Sequence, residues 1–283
     1  MILVTGAAGK TGRAVIRALK AKGAAVRALV RNPDHAGALI ALGASEVAVG
    51  AFDDPGALAR AAHGITAVYH ICPNVSRDEL DYARAVVAAI RANGVSRFVY
   101  HSVLHPQIEA MPHHWQKMRT EEMLFAQDLD LTVLQPTAYM QNLLVAWRGI
   151  VENGVFRVPY PVESRLSLVD LDNLGEVAAI VLTAPGHVGA VYELCGTVAL
   201  SQIQVAAELA AALMRPVRAE AETVEAWEQR MCAGGMGEYE RETLAAMMRY
   251  YARHGLVGNP NTLTRLLGRA PVSLEQFAAR AGH

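Results

Sequence analysis

The chain has 283 residues, 52% of them hydrophobic, and 26 basic against 27 acidic side chains give a net charge of −1. That length allows one large domain or two small ones with ample core, and the near-neutral balance argues against nucleic acid or an anionic membrane as the main partner. Three widely spaced cysteines, Cys72, Cys195 and Cys232, read as buried reduced thiols of a cytoplasmic protein, and no apolar run is long enough to span a bilayer.

Ile2-Leu3-Val4 reads as the first strand, and no cleavable leader is expected ahead of it. The run Thr5-Gly6-Ala7-Ala8-Gly9-Lys10-Thr11-Gly12 follows and leads into a helix-patterned stretch at 13–19. A strand, a glycine turn and a helix are the parts that seat a dinucleotide pyrophosphate. Unmatched N–H groups and the positive end of the helix meet the anion, and glycine lets the backbone approach it. The spacing is Gly-x-x-Gly-x-x-Gly rather than Gly-x-Gly-x-x-Gly. Gly9-Lys10-Thr11 imitates the end of a P-loop, but that loop needs glycine where Val4 stands. Gly6, Gly9, Lys10, Thr11 and Gly12 are therefore candidate cofactor contacts.

A second strand at 26–30 ends in Arg31-Asn32-Pro33. An acidic residue at this place would bind a free ribose 2′-hydroxyl, whereas an arginine fork suits a 2′-phosphate. Arg31 therefore points to NADP(H) in preference to NAD(H), and Asp34 is expected to cap the next helix, which stops at Gly43. A third strand at 46–49 precedes Phe52 and Asp53, and Asp54-Pro55 is a helix start. A fourth strand at 67–71 runs into Cys72 and Pro73, further candidate cofactor contacts. A long helix is expected from Ser76 to Asn93-Gly94, then strands at 97–101 and 131–134. This alternation predicts an α/β fold, a Rossmann-type doubly wound parallel sheet with its ligand at the carboxyl ends of the strands. His101, His105, His113 and His114 crowd together, but with prolines between them and no acidic or cysteine ligand they predict no metal site.

The second half is broken by glycine and proline between 149 and 161 and is mainly helical afterwards, with capping boxes at Ser201-x-x-Gln204 and Ser273-x-x-Gln276. Leu244, Met247, Met248 and Tyr251 share one face of a helix that ends at Gly255, as core filler or as substrate lining. The expected division is a nucleotide-binding domain at 1–136 and a smaller, mainly helical substrate lobe at 137–283, with segments near 165–195 free to return to the first. Trp115, Tyr139 and Asn142, with Met140 and Trp147 nearby, either line an apolar substrate pocket or pack the lobes together.

With the glycine run, Leu29-Val30-Arg31-Asn32-Pro33 and Leu134-Gln135-Pro136-Thr137-Ala138-Tyr139-Met140-Gln141-Asn142 in hand, the chain resembles the NmrA-like family of atypical short-chain dehydrogenase/reductases. The likeness extends through Gly258-Asn259-Pro260-Asn261 and Leu266-Leu267-Gly268-Arg269. It implies a Rossmann domain with a small C-terminal lobe and a preference for NADP(H). It also implies quinone or dye reduction, or regulation by cofactor binding without turnover. Related sequences often read Gly-Asp after the third strand to bind the adenine; here Ala51 takes that place, leaving Phe52 or a shifted Asp53 for the role. The family's Tyr-x-x-x-Lys is incomplete. Lys117 fits the lysine, and His113 stands where the tyrosine would be. The resemblance gives Lys117 the nicotinamide ribose or a substrate oxygen, against the alternative of a surface ion pair with Glu121 at i+4. His113 or His114 is a proton source, and Ser102 is either a substrate contact or a loop serine. The leading expectation is an NADPH-dependent reductase of a small quinone-like or other conjugated electrophile. The alternative is a non-catalytic NADP(H) sensor, in either case a monomer or homodimer with a small-molecule partner.

Overall fold

Strand and helix alternate through the first half of the chain in the computed structural model, which describes residues 1–281. In order they are β1 (Ile2–Val4), α1 (Lys10–Ala21), β2 (Val26–Val30), α2 (Ala36–Leu42), β3 (Glu46–Val49), α3 (Pro55–Ala62), β4 (Ala67–His70), α4 (Glu79–Ala92), β5 (Arg97–His101), α5 (Pro112–Phe125) and β6 (Asp130–Pro136). There follow β7 (Ala138–Tyr139), α6 (Trp147–Asn153), β8 (Val155–Val158), β9 (Arg165–Leu166), β10 (Leu168–Val169), α7 (Leu171–Thr183) and β11 (Val191–Leu194). The chain ends in β12 (Leu200–Ser201), α8 (Gln202–Leu213), β13 (Arg218–Ala221), α9 (Val224–Ala233), α10 (Glu238–His254), α11 (Asn261–Leu267) and α12 (Leu274–Ala281).

Seven strands form one sheet in the order β3-β2-β1-β4-β5-β6-β11, with β1 to β6 paired in parallel. Its central strands are buried along nearly their whole length, as expected of a parallel sheet covered on both faces. The strand order reverses between β1 and β4, where such sheets open a crevice at their carboxyl ends.

Contacts divide the chain into two units. One comprises Met1–Gln107, Gln116–Gln135 and Leu174–Tyr192, and its core includes Leu3, Val68, Ile90, Phe98 and Leu131. The other comprises Ile108–Trp115, Pro136–Asn173 and the residues from Glu193 onward. It holds the ribbons β7/β10, β9/β12 and β8/β13, and packs Met140, Ile150, Phe156, Leu209 and Phe277. No helix among the described residues is long and apolar enough to cross a membrane.

Several local expectations need correction. The helix expected from Ser76 starts at Glu79, because the Ser76 hydroxyl accepts the Asp78 N–H in a turn of its own and Val75 has φ 51°. Asp34 does not cap the next helix: Asn32 accepts the Asp34 N–H and caps a short 3₁₀ turn, Pro33–His35, that leads into α2. Cys72 and Cys195 are buried, but Cys232 is exposed on α9, whose buried residue is Trp227. On α10 only Tyr251 of the four-residue stripe is buried, while Leu244, Met247 and Met248 are half-buried. Met140 is fully buried in the core of its unit, and the half-buried Trp147 sets its ring edge-on to Phe277.

Candidate functional site

The glycine turn lies on the switch point. Gly6 adopts φ 57°, and a Cβ there would stand 2.9 Å from the Ile71 carbonyl oxygen, so the turn rests directly on the chain leaving β4. Thr5 ties the same two strands: its hydroxyl oxygen accepts the Ile71 N–H at 2.9 Å and lies 3.0 Å from His70 Nδ1. A Cβ on Gly12 would meet the Gly6 oxygen at 2.5 Å, so the first turn of α1 presses on the loop with no room for a side chain. Arg13 Nε donates to the Ala8 carbonyl at 2.9 Å and braces the loop from the helix side.

Gly9 is the N-cap of α1 and offers no side-chain acceptor, and no acidic residue occupies the first turn. The N–H groups that every helix leaves unmatched at this end remain available to an anion, with the helix dipole behind them. Gly9 and Lys10 are exposed, while Thr11 is buried. A dinucleotide pyrophosphate fits this cradle.

Arg31 follows β2 directly, is exposed, and makes no hydrogen bond or ion pair among the described residues. No acidic residue follows β2 in sequence before Asp34. Asp53 is exposed beyond β3. Phe52 is drawn into the core, stacked on Tyr82 at 5.1 Å and edge-on to His70 at 5.5 Å. Cys72 is buried and Pro73 half-buried just past β4. Burial pushes the Cys72 thiol up, and nearby Glu79 adds to the effect.

For Lys117 the alternative of a surface ion pair with Glu121 fails. It is 4% exposed, and its partner is Glu79, not Glu121. Nζ lies 2.5 Å from Glu79 Oε1, donates to the His101 carbonyl at 2.9 Å, and sits 5.2 Å from the centre of the Tyr100 ring. Tyr100 donates its hydroxyl to the same Glu79 oxygen at 2.7 Å. Glu121 is instead taken up by Ser102, whose buried hydroxyl donates to it, and by Gln135, whose Nε2 reaches both carboxylate oxygens at 3.0 and 2.9 Å. Burial raises the Glu121 pKa, against the pull of those hydrogen bonds. Burial and the Lys117 charge hold His70 and His101 down to about 3, so both are neutral at ordinary pH.

His113 and His114 are buried in the first turn of α5, their rings edge to face at 6.2 Å. Trp115 is half-buried on that helix, Tyr139 is half-buried in β7, and Asn142 is exposed in the 3₁₀ segment Met140–Val145. Among the described residues no group of three or more His, Cys, Asp or Glu is placed to hold a metal ion. The sequence reading missed Glu79, Tyr100, Gln135 and Thr5. Glu79 in particular carries no signal of its burial in the sequence, and only its partners in space reveal it.

The chain is 32% identical to the NAD(P)H azoreductase of Xenophilus azovorans over 98% of this chain and 96% of the relative. It is 28% identical to quinone oxidoreductase 2 of Escherichia coli, again over 98% and 96%. The crystal structure of the NADPH-dependent quinone oxidoreductase of Escherichia coli in complex with NADPH superposes over 100% of both chains, with a TM-score of 0.88 at 27% identity. The family model that matches residues 1–279 takes in the glycine turn, the Lys117 cluster and both units, and the chain belongs to the NmrA-like family.

Proposed function

We propose that the chain is an NADPH-dependent oxidoreductase that reduces a small quinone-like or other conjugated electrophile. One observation carries the cofactor assignment: a glycine cradle at the β1/β4 switch point is paired with an exposed, uncommitted Arg31 at the end of β2. The substrate class draws on the activities named for the azoreductase and the quinone oxidoreductase. Bound NADPH supplies a hydride to the acceptor.

The chain's own residues bind and orient. Gly6, Gly9 and Gly12 let the backbone approach the pyrophosphate, with Lys10 and Thr11 beside them in the first turn of α1. Arg31 takes the 2′-phosphate. Asp53, Phe52, Cys72 and Pro73 are assigned to the remaining cofactor contacts, Phe52 as a wall rather than an open stacking face. Lys117 engages a ribose or substrate oxygen. The reduced product takes its proton from water or His113, and Ser102 acts through Glu121. Trp115, Tyr139 and Asn142 are assigned to the substrate. Quinone and azo acceptors suit a chain with no tyrosine four residues before Lys117, because their reduced products do not require a strong built-in acid.

The test is NADPH oxidation by the purified protein across quinones, azo dyes and enones, with Lys117→Ala alongside. Saturable turnover that falls at least about tenfold in the variant, with NADPH still bound, is the expected result. Tight NADPH binding without turnover on any acceptor would favour the sensor reading.

A further inference from the structure

Glu79 lies in the first turn of α4, where a carboxylate is stabilised by the helix dipole while exposed to solvent. Here it is 0% exposed, and its Oε2 has no hydrogen-bond partner. Burying a charge pair in this way is poorly rewarded in stability, since apolar residues of similar volume often do as well or better. The pair is nevertheless tightly built. Glu79 Oε1 receives Lys117 Nζ and the Tyr100 hydroxyl, and the His101 carbonyl takes a second Lys117 N–H. An ammonium has three N–H donors. The third is met by no acceptor among the described residues.

We propose that Glu79 is the positioning residue for Lys117: it fixes Nζ against the last residue of β5 as an ammonium and leaves one N–H to be given to a ligand oxygen. This rests on the reading of Lys117 as a site residue. The other titratable groups around the ammonium cannot replace Glu79. His70 on β4 and His101 on β5 are neutral, Cys72 beyond β4 is held as a thiol, and Tyr100 on β5 is held as a phenol by its burial. Glu121 on α5 is engaged by Ser102 and Gln135. Glu79 is the carboxylate in direct contact.

The test compares wild type, Glu79→Gln, Lys117→Met and the double variant, and has two readouts. The first follows lysine side chains labelled with ¹³C at Cε by NMR. The chain has four lysines, Lys10, Lys20, Lys22 and Lys117, so Lys117→Met assigns the resonance. Glu79→Gln leaves the buried ammonium without its counter-charge, and the Lys117 resonance is expected to respond to pH differently from wild type, with the proton lost more readily. The second readout is NADPH oxidation with 1,4-benzoquinone. Glu79→Gln is expected to lose about tenfold in kcat at alkaline pH and regain it on acidification, with KM for NADPH little changed. It should do nothing further in the Lys117→Met background.

A Lys117 resonance that behaves as in wild type in Glu79→Gln overturns the proposal, as does an equal loss of turnover in both backgrounds. Full activity of Lys117→Met removes the reading of Lys117 itself and the proposal with it. That outcome is distinct from an inactive Lys117→Met beside an unaffected Glu79→Gln. Should Glu79→Gln not fold, Glu79→Asp keeps the charge but withdraws it by one methylene; unchanged kcat there is equally fatal, and a kcat loss with a wild-type pH profile is the expected result.

Discussion

His70 shows how much the cofactor side of the sheet depends on buried polar groups. Its ring is fully buried at the end of β4, with Nδ1 on Thr5, the ring stacked on Tyr100 at 6.1 Å and Nε2 without a partner. Its pKa is held at about 3 by burial and the nearby Lys117 ammonium. The folded value lies below the ordinary value near 6.5, so the unfolded chain binds a proton in that interval that the native chain does not. The stability contribution is therefore complete above about pH 6.5 and is lost as pH falls towards 3. Between pH 6.5 and 5 this amounts to roughly 2 kcal/mol, at about 1.4 kcal/mol per pH unit. His70→Asn keeps a polar group near Nδ1 and removes the titration. It should start less stable through lost packing, yet lose about 2 kcal/mol less than wild type on going from pH 7 to 5. Urea unfolding at the two pH values measures this, and an equal loss in both proteins would refute it.

At the scale of elements, the strand–turn–helix unit of β1 and α1 makes the sharpest prediction. A methyl group on Gly12 would sit 2.5 Å from the Gly6 oxygen and 2.7 Å from the Ala7 Cα, whereas one on Gly9 meets the Gly6 oxygen at 3.3 Å. Gly12→Ala should therefore disturb the turn itself, lowering Tm and weakening NADPH binding by about 100-fold or more. Gly9→Ala should fold with nearly wild-type Tm and lose about tenfold in affinity, because its methyl group stands on the exposed face that an anion approaches. Thermal melts and fluorescence titration separate the two, and wild-type binding by Gly12→Ala would remove the cradle from the site. This unit was legible in the sequence because glycine spacing is a local property. So were the caps at Asp54, Ser201 and Ser273, each confirmed by its hydrogen bond. The Asn32 cap was misread as Asp34 because either side chain can close a turn beside proline, and only the three-dimensional path of the backbone selects one. Glu79 was illegible for a related reason: its burial is decided by Lys117 and Tyr100, which are remote in sequence.

At the scale of the whole molecule, the alternation of strands and helices was enough to predict a parallel doubly wound sheet, since buried apolar strands joined by helices have few other solutions. The two units were only partly readable. The segment 174–192 lies within the span near 165–195 that the sequence leaves free to return to the first domain, whereas 108–115 leaves its sequence neighbours without a signal, because local periodicity carries no record of which contacts a segment finally makes. The first unit holds the cradle and Arg31, so cofactor choice can be read from the melting of the intact chain. A ligand that binds only the folded protein stabilises it in proportion to the logarithm of its concentration over Kd. A tenfold preference is therefore worth about 1.4 kcal/mol at equal saturating concentrations, or roughly 3–5 °C in a chain of this size. NADPH should raise Tm by at least that much more than NADH. Arg31→Ala should erase the difference while leaving the melting of the free protein almost unchanged, because the side chain is exposed and makes no contact whose loss would matter. High salt should narrow the gap in wild type, as it does for any exposed ion contact. If wild type is stabilised equally by NADH, or if Arg31→Ala keeps the full preference for NADPH, then the 2′-phosphate is held by some other group and Arg31 is an ordinary solvated residue of the loop after β2.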